Sequence, residues 1–186
     1  LPLLAEAERH SLLVERNATR QEIADEVCLQ TLIEEQAERT PAAIAVVSEQ
    51  GALSYGALNR YANQLASYLR MRGLVPQQSV ALCMTRSLES MIALLAIFKA
   101  GGIYVPLEPS FPPERQLWIL EETQATILLT QSSLQERLPE SQALVLCLEE
   151  CWTGIDQQSS ERIGYRDDAG DVAYVMYTSG STGRPK

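Results

Sequence analysis

The sequence predicts an α/β fold built around a mainly parallel sheet, and three observations carry that reading. Short apolar runs alternate with amphipathic or apolar stretches of helical spacing, the order that βαβ crossovers require. Gly or Pro marks main junctions between these segments, at Pro41, Gly73, Gly101-Gly102 and Pro112-Pro113. The composition, 46% hydrophobic and 21% charged over 186 residues, is that of a globular chain long enough to bury one sizeable core.

Each element has a local cause. The first sixteen residues read as a short helix with apolar Leu4, Leu12 and Leu13, followed by a polar connector over Asn17 to Asp25. From Val27, the spacing of Leu29, Leu32, Ile33 and Ala37 is helical, and Thr40-Pro41 stops it. Ala43 to Val47 reads as a strand, with a turn at Gln50-Gly51 and a short extended piece at Ala52-Leu53. Ser54 is the predicted N-cap of an amphipathic helix whose apolar face holds Leu58, Tyr61, Ala62, Leu65, Tyr68 and Leu69, with Gly73 as its C′ residue. Val80 to Met84 is a strand. Ser87 caps Leu88 to Ala100, apolar nearly all round and therefore buried, until Gly101-Gly102 ends it before extended Tyr104-Val105. Pro112-Pro113 opens a helix to about Glu122. Ile127 to Thr130 and Ala143 to Cys147 are strands separated by a short helix at Leu134 to Leu138. Gln157 to Gly170 is a polar loop, and Val172 to Tyr177 a last strand.

Charge and residue counts exclude several classes of function. Fifteen Lys+Arg against 24 Asp+Glu give a net charge of −9, which disfavours nucleic acid or an anionic membrane as a partner. The longest apolar run, Met91 to Phe98, is far short of the ~20 residues that a membrane span needs. With His10 as the only histidine, and that in a charged stretch, neither a multi-His metal site nor a Ser-His-Asp triad is expected. Cys28, Cys83, Cys147 and Cys151 read as reduced thiols in hydrophobic segments of a cytoplasmic protein. A first residue of Leu rather than Met raises the expectation of a piece of a longer chain.

The chemistry concentrates after the last strand. Thr178, Ser179, Gly180, Ser181, Thr182, Gly183, Arg184, Pro185 and Lys186 bring together four hydroxyls, two glycines and a lysine. Glycines let backbone N–H groups turn toward an anion, hydroxyls add short donors, and lysine adds a mobile positive charge. This is not a Walker A loop, because only two residues separate the glycines and Pro185 precedes the lysine. It stands at the end of an apolar strand, where α/β folds place ligands, and it holds one of only two lysines, Lys99 being the other. Glu121-Glu122 reads as solvated helix surface and Asp167-Asp168 as a turn.

Val172 to Lys186 closely resembles the phosphate-loop signature of the adenylate-forming (AMP-binding) superfamily, most of all that of nonribosomal peptide synthetase adenylation domains. Phe98-Lys99-Ala100-Gly101-Gly102-Ile103-Tyr104-Val105-Pro106-Leu107-Glu108-Pro109 resembles the synthetase segment Leu-Lys-Ala-Gly-x-Ala-Tyr-Val-Pro-Leu/Ile-Asp-Pro, read here as architectural. Leu53-Ser54-Tyr55-Gly56-Ala57-Leu58, Glu38-Arg39-Thr40-Pro41 and Pro112-Pro113-Glu114-Arg115 are similar to further family segments, with Ala57, Phe98, Ile103 and Glu108 as departures.

The resemblance implies residues 1–20 as a linker of the condensation-to-adenylation kind and residues 21–186 as the N-terminal part of an adenylation domain. It implies use of ATP and Mg2+ to convert an amino acid to its aminoacyl-adenylate, then transfer to phosphopantetheine on a carrier domain. The upstream condensation domain and the downstream carrier would share the polypeptide. Thr178, Ser179, Gly180, Ser181, Thr182 and Gly183 would line the β- and γ-phosphates, and Lys186 would pair with them. No catalytic or metal-ligating residue is expected in this stretch, and the isolated chain is expected to be inactive. A carboxylate–CoA ligase and a non-catalytic remnant are the alternatives.

Overall fold

Four parallel strands in the order β4-β3-β5-β6 form the centre of the structure, a computed structural model that describes residues 4–20, 27–164 and 168–177. They are β3 (Ser79–Cys83), β4 (Ile103–Pro106), β5 (Ile127–Thr130) and β6 (Leu144–Cys147). The remaining two, β1 (Ile44–Ser48) and β2 (Gly51–Ser54), make a separate antiparallel hairpin. The helices are α1 (Glu6–Leu13), α2 (Leu29–Arg39), α3 (Tyr55–Met71), α4 (Leu88–Lys99), α5 (Pro113–Glu122), α6 (Ser132–Gln135) and α7 (Leu148–Asp156). Among the described residues, no helix is long and apolar enough to cross a membrane.

Strand side chains alternate between two cores, as the period of two demands. Val80, Leu82, Ile127, Leu129 and Leu146 face a cluster with Leu65 and Leu69 of α3, Ile92 and Ala96 of α4, and Ile155 of α7. Ala81, Cys83, Val105 and Leu128 face the opposite cluster with Ile119 and Leu120 of α5 and Leu134 of α6. Helices thus cover both faces, the condition under which a parallel sheet is buried.

The predicted caps are observed. Ser54 Oγ accepts from Ala57 N–H at 3.3 Å, and Ser87 and Ser90 cap each other at the start of α4. At the end of α4, Gly101 N–H donates to Phe98 C=O and Gly102 N–H to Ile97 C=O, both at 2.9 Å, a Schellman closure that needs the positive φ of 73° at Gly101. A Cβ on Gly102 would meet Ile97 Cγ2 at 3.2 Å and Val80 Cγ2 at 3.3 Å, so the second glycine lets α4 close onto β3.

Three differences from the sequence reading have physical causes. Helix α7 was not anticipated, although Leu148, Cys151, Trp152 and Ile155 have helical spacing and Glu149 and Glu150 suit its first turn. The short helix expected at Leu134 to Leu138 begins earlier, at Ser132, where Glu149 accepts from Ser132 N–H and Oγ, each at 3.2 Å. The last strand, Val172 to Tyr177, is reduced to one parallel bridge between Tyr174 and Tyr104. Tyr104 N–H donates to Ala173 C=O and Val175 N–H to Tyr104 C=O, both at 2.9 Å. The rung before is denied because Gly102 N–H is already spent on Ile97, and the rung after because Pro106 has no N–H.

Candidate functional site

The seven predicted phosphate-loop residues, Thr178, Ser179, Gly180, Ser181, Thr182, Gly183 and Lys186, lie outside the described residues. What is described is the segment that carries them. Asp168 opens it with a turn, accepting from Gly170 N–H through Oδ1 at 2.8 Å and from Asp171 N–H through its carbonyl at 3.0 Å; Asp167 lies outside the described residues. Val172 N–H then donates to Gln77 Oε1 at 3.0 Å, and the Tyr104 bridge follows. Val175 and Tyr177 pack against the core beneath α5, with the Tyr177 ring edge-on to Trp118 at 5.0 Å and 71°. Val172, Tyr174 and Met176 alternate with them and are exposed. Burial pushes the Tyr104 and Tyr177 hydroxyls above their ordinary pKa, Glu122 adding to the effect at Tyr177.

Lys99, the other lysine, is buried in an ion pair with Glu34 of α2, and Arg162 Nε reaches the second oxygen of Glu34 at 3.3 Å. It therefore fastens α4 to α2 and to the loop after α7, the architectural role expected of its segment. Glu121 and Glu122 are on the solvent side of α5 as read, and Tyr68 is core with Tyr61 packed at its border.

Two cavities flank this framework. One of about 500 Å³ lies beside Val172 to Tyr174, and Cys28, Phe98, Gly102 and Gln77 also line it. The other, of about 560 Å³, lies over the carboxyl ends of β3, β5 and β6, where the strand order reverses direction and open α/β sheets receive ligands. Its polar groups satisfy one another: Gln131 Oε1 accepts from Thr85 N–H and Oγ1, each at 2.8 Å, and Glu149 takes the Ser132 donors. Desolvation is the largest single influence on the Glu149 carboxyl and raises its pKa. Hydrogen bonds from its own backbone, Cys147 and Ser132 outweigh it, so the net displacement is downward. Gln77, Trp118 and Gln131 were not singled out in the sequence; a lone Gln or Trp carries no motif, and only the fold brings each to its partner.

Residues 33–186 match the AMP-binding enzyme family. The chain belongs to that family. Over its full length it is 45% identical to a linear gramicidin synthase subunit of Brevibacillus parabrevis, of which it spans 4%. It is 42% identical, over 189 aligned residues, to tyrocidine synthase 3 of the same organism, of which it spans 3%. Among solved structures, it superposes on the nonribosomal peptide synthetase FmoA3 with a TM-score of 0.83 at 34% identity, covering 94% of this chain and 18% of that one. It also superposes on the N-terminal subdomain of Klebsiella oxytoca NpsA in complex with 3-hydroxybenzoyl-AMSN, with a TM-score of 0.76 at 26% identity, covering 90% of this chain and 42% of that one. As a member of the AMP-binding enzymes, the chain has the α/β architecture of the N-terminal subdomain on which it superposes.

Proposed function

We propose that this chain is the first part of the adenylation domain of a nonribosomal peptide synthetase module. In this reading residues 1–20 are the linker from an upstream condensation domain and residues 21–186 open the adenylation domain. The observation that carries it is whole-chain identity of 45% with a linear gramicidin synthase polypeptide, joined to the phosphate-loop motif. An AMPPNP-bound form of FmoA3, which this chain resembles with a TM-score of 0.83 and 34% identity, supports ATP as the nucleotide.

The reaction in this reading is the one that the resemblance to adenylation domains implies. The amino-acid carboxylate attacks the α-phosphorus of ATP, the bond to the bridging oxygen breaks, and pyrophosphate leaves with the aminoacyl-adenylate remaining. Thr178, Ser179, Gly180, Ser181, Thr182 and Gly183 would hold the β- and γ-phosphates, and Lys186 would pair with the charge that builds on the leaving pyrophosphate. Their contribution is positioning and charge stabilisation, set before the reaction begins. Mg2+ would enter with the nucleotide; among the described residues no group of three or more His, Cys, Asp or Glu lies close enough together to hold an ion. The phosphopantetheine thiol of a downstream carrier domain then gives up its proton and attacks the acyl carbon, the acyl–phosphate bond breaks and AMP leaves, so that the aminoacyl thioester forms on the carrier in the cytoplasm.

The test is amino-acid-dependent ATP–pyrophosphate exchange by the full-length protein that contains this chain, followed by loading of a phosphopantetheinylated carrier. Exchange with one or a few amino acids and transfer to the carrier are expected. Transfer to free coenzyme A in preference to the carrier would favour the carboxylate–CoA ligase reading, and no exchange with any amino acid would overturn the proposal.

A further inference from the structure

The segment leading into the phosphate loop is short of backbone pairing. Its single bridge to Tyr104 cannot be extended, since Gly102 N–H is engaged by Ile97 and Pro106 has no N–H. A strand in a full ladder is placed by its neighbours' main chains; this one is placed by side chains at its two ends. At the start, Gln77 accepts the Val172 N–H through its side-chain amide while its own N–H donates to Gly101 C=O at 2.7 Å. Gln77 holds a positive φ of 61° in that position, so the backbone there is committed to the turn that presents the amide. At the far end, the Trp118 indole stands edge-on to the Tyr177 ring, with 5.0 Å between centroids, within the favourable range for aromatic pairs. Tyr177 is the residue immediately before Thr178.

We propose that Trp118 is a positioning residue for the nucleotide: through Tyr177 it fixes the point from which the phosphate loop departs, with Gln77 fixing the other end of the same segment. Trp118 belongs to α5, whose neighbouring Ile119 and Leu120 are buried in the core, so the indole is carried on a rigid element. Trp118 and Tyr177 are only half-buried, so the contact adds modestly to stability. Its larger consequence is geometric, since donors aimed at phosphates lose their effect when displaced by a fraction of an ångström. Neither Trp118 nor Gln77 lies in the segments that mark the family.

This inference rests on the adenylation reading, and the experiment separates the two. In the full-length protein, ATP–pyrophosphate exchange is measured against ATP and against the amino acid for Trp118→Leu, Trp118→Tyr, Gln77→Gly and Trp152→Leu. Gln77→Gly keeps the positive φ without strain and deletes only the amide, at an exposed position where folding is not at risk. Trp152→Leu removes a second half-buried indole, one that contacts Tyr61 at 5.9 Å instead. Trp118→Leu and Gln77→Gly are expected to raise KM for ATP by about three- to tenfold with KM for the amino acid unchanged, the span that one aromatic edge contact or one net hydrogen bond supports. Trp118→Tyr restores an edge contact and brings KM for ATP back to within about twofold, and Trp152→Leu leaves it unaltered. An unchanged KM for ATP in Gln77→Gly and in a folded Trp118→Leu overturns the inference. So does an equal rise in both KM values, or the same rise in Trp152→Leu. A wild-type protein silent with every amino acid overturns instead the functional reading and the inference with it.

Discussion

Replacing Lys99 by alanine deletes an ammonium whose side chain is 2% exposed and takes from Glu34, 11% exposed, one of its two cationic partners. Removing one partner of a buried ion pair leaves the other charge uncompensated, at a cost of about 3–5 kcal/mol. Arg162 remains 3.3 Å from the other oxygen on a side chain 52% exposed, and it keeps part of the charge compensated. A loss of about 2–3 kcal/mol is therefore expected for Lys99→Ala. Glu34→Ala is harsher, since the buried ammonium of Lys99 loses this carboxylate. About 3–5 kcal/mol is expected there. Lys99→Met with Glu34→Leu removes both charges and refills the space, an exchange that is near neutral when the packing is sound. Urea unfolding at pH 7 compares the wild type, each single variant and the pair, and the pair is expected to lose far less than the about 5–8 kcal/mol to which the two single losses add. Losses that simply add in the double variant, or single losses below about 1 kcal/mol, would refute the assignment of this pair as the tie between α2 and α4.

Gly101→Ala forces a Cβ into a φ of 73° at the end of α4 and is expected to cost about 1–2 kcal/mol in thermal or urea unfolding. Burial, with a smaller push from Glu108, raises the Cys83 thiol to about 11, and burial also raises Cys147. A thiol reagent at pH 8 should modify the half-buried Cys28 and Cys151 first and reach Cys83 and Cys147 only as the protein opens, with mass spectrometry reading the order. Glu149, its pKa lowered, adds stability that is present above the ordinary carboxylate range and is lost as pH falls through its lowered folded value. Glu149→Gln should therefore flatten the acid limb of stability against pH, and an unchanged limb would remove the Ser132–Glu149 contact from the account.

Most of the framework was legible because its signals are local. Ser54 and Ser87 as caps, Gly73 and Gly101-Gly102 as stops and Pro113 as a helix opener each act within one turn of their own position. The parallel sheet was legible from alternation alone, though the strand order β4-β3-β5-β6 was not, since pairing depends on residues far apart in sequence. Helix α7 was hard to see because it follows β6 with no turn residue between them, so that Leu148, Cys151, Trp152 and Ile155 alone carry its periodicity. The reduction of Val172 to Tyr177 to a single bridge had a visible cause in Pro106, but only the fold shows that Pro106 faces that strand and that Gly102 N–H is spent elsewhere. Thr178 to Lys186 is contiguous in the sequence, so its expected role as a phosphate loop was proposed without help from the fold. Gln77 and Trp118, which are 95 and 59 residues away from the Val172 and Tyr177 they hold, could not be found that way.

The central claim is that the stretch ending in Lys186 binds the triphosphate of ATP during adenylation, and ATP–pyrophosphate exchange by the full-length protein with Lys186→Ala tests it most directly. Loss of a charge-assisted contact to phosphate corresponds to about 1.5–3 kcal/mol, a fall of roughly ten- to a hundredfold in kcat/KM for ATP. Lys99→Ala, measured beside it under conditions where the variant is folded, should leave kcat/KM for ATP far less affected, because Lys99 is engaged with Glu34 on the other core. Exchange that survives Lys186→Ala at the wild-type rate would contradict the account.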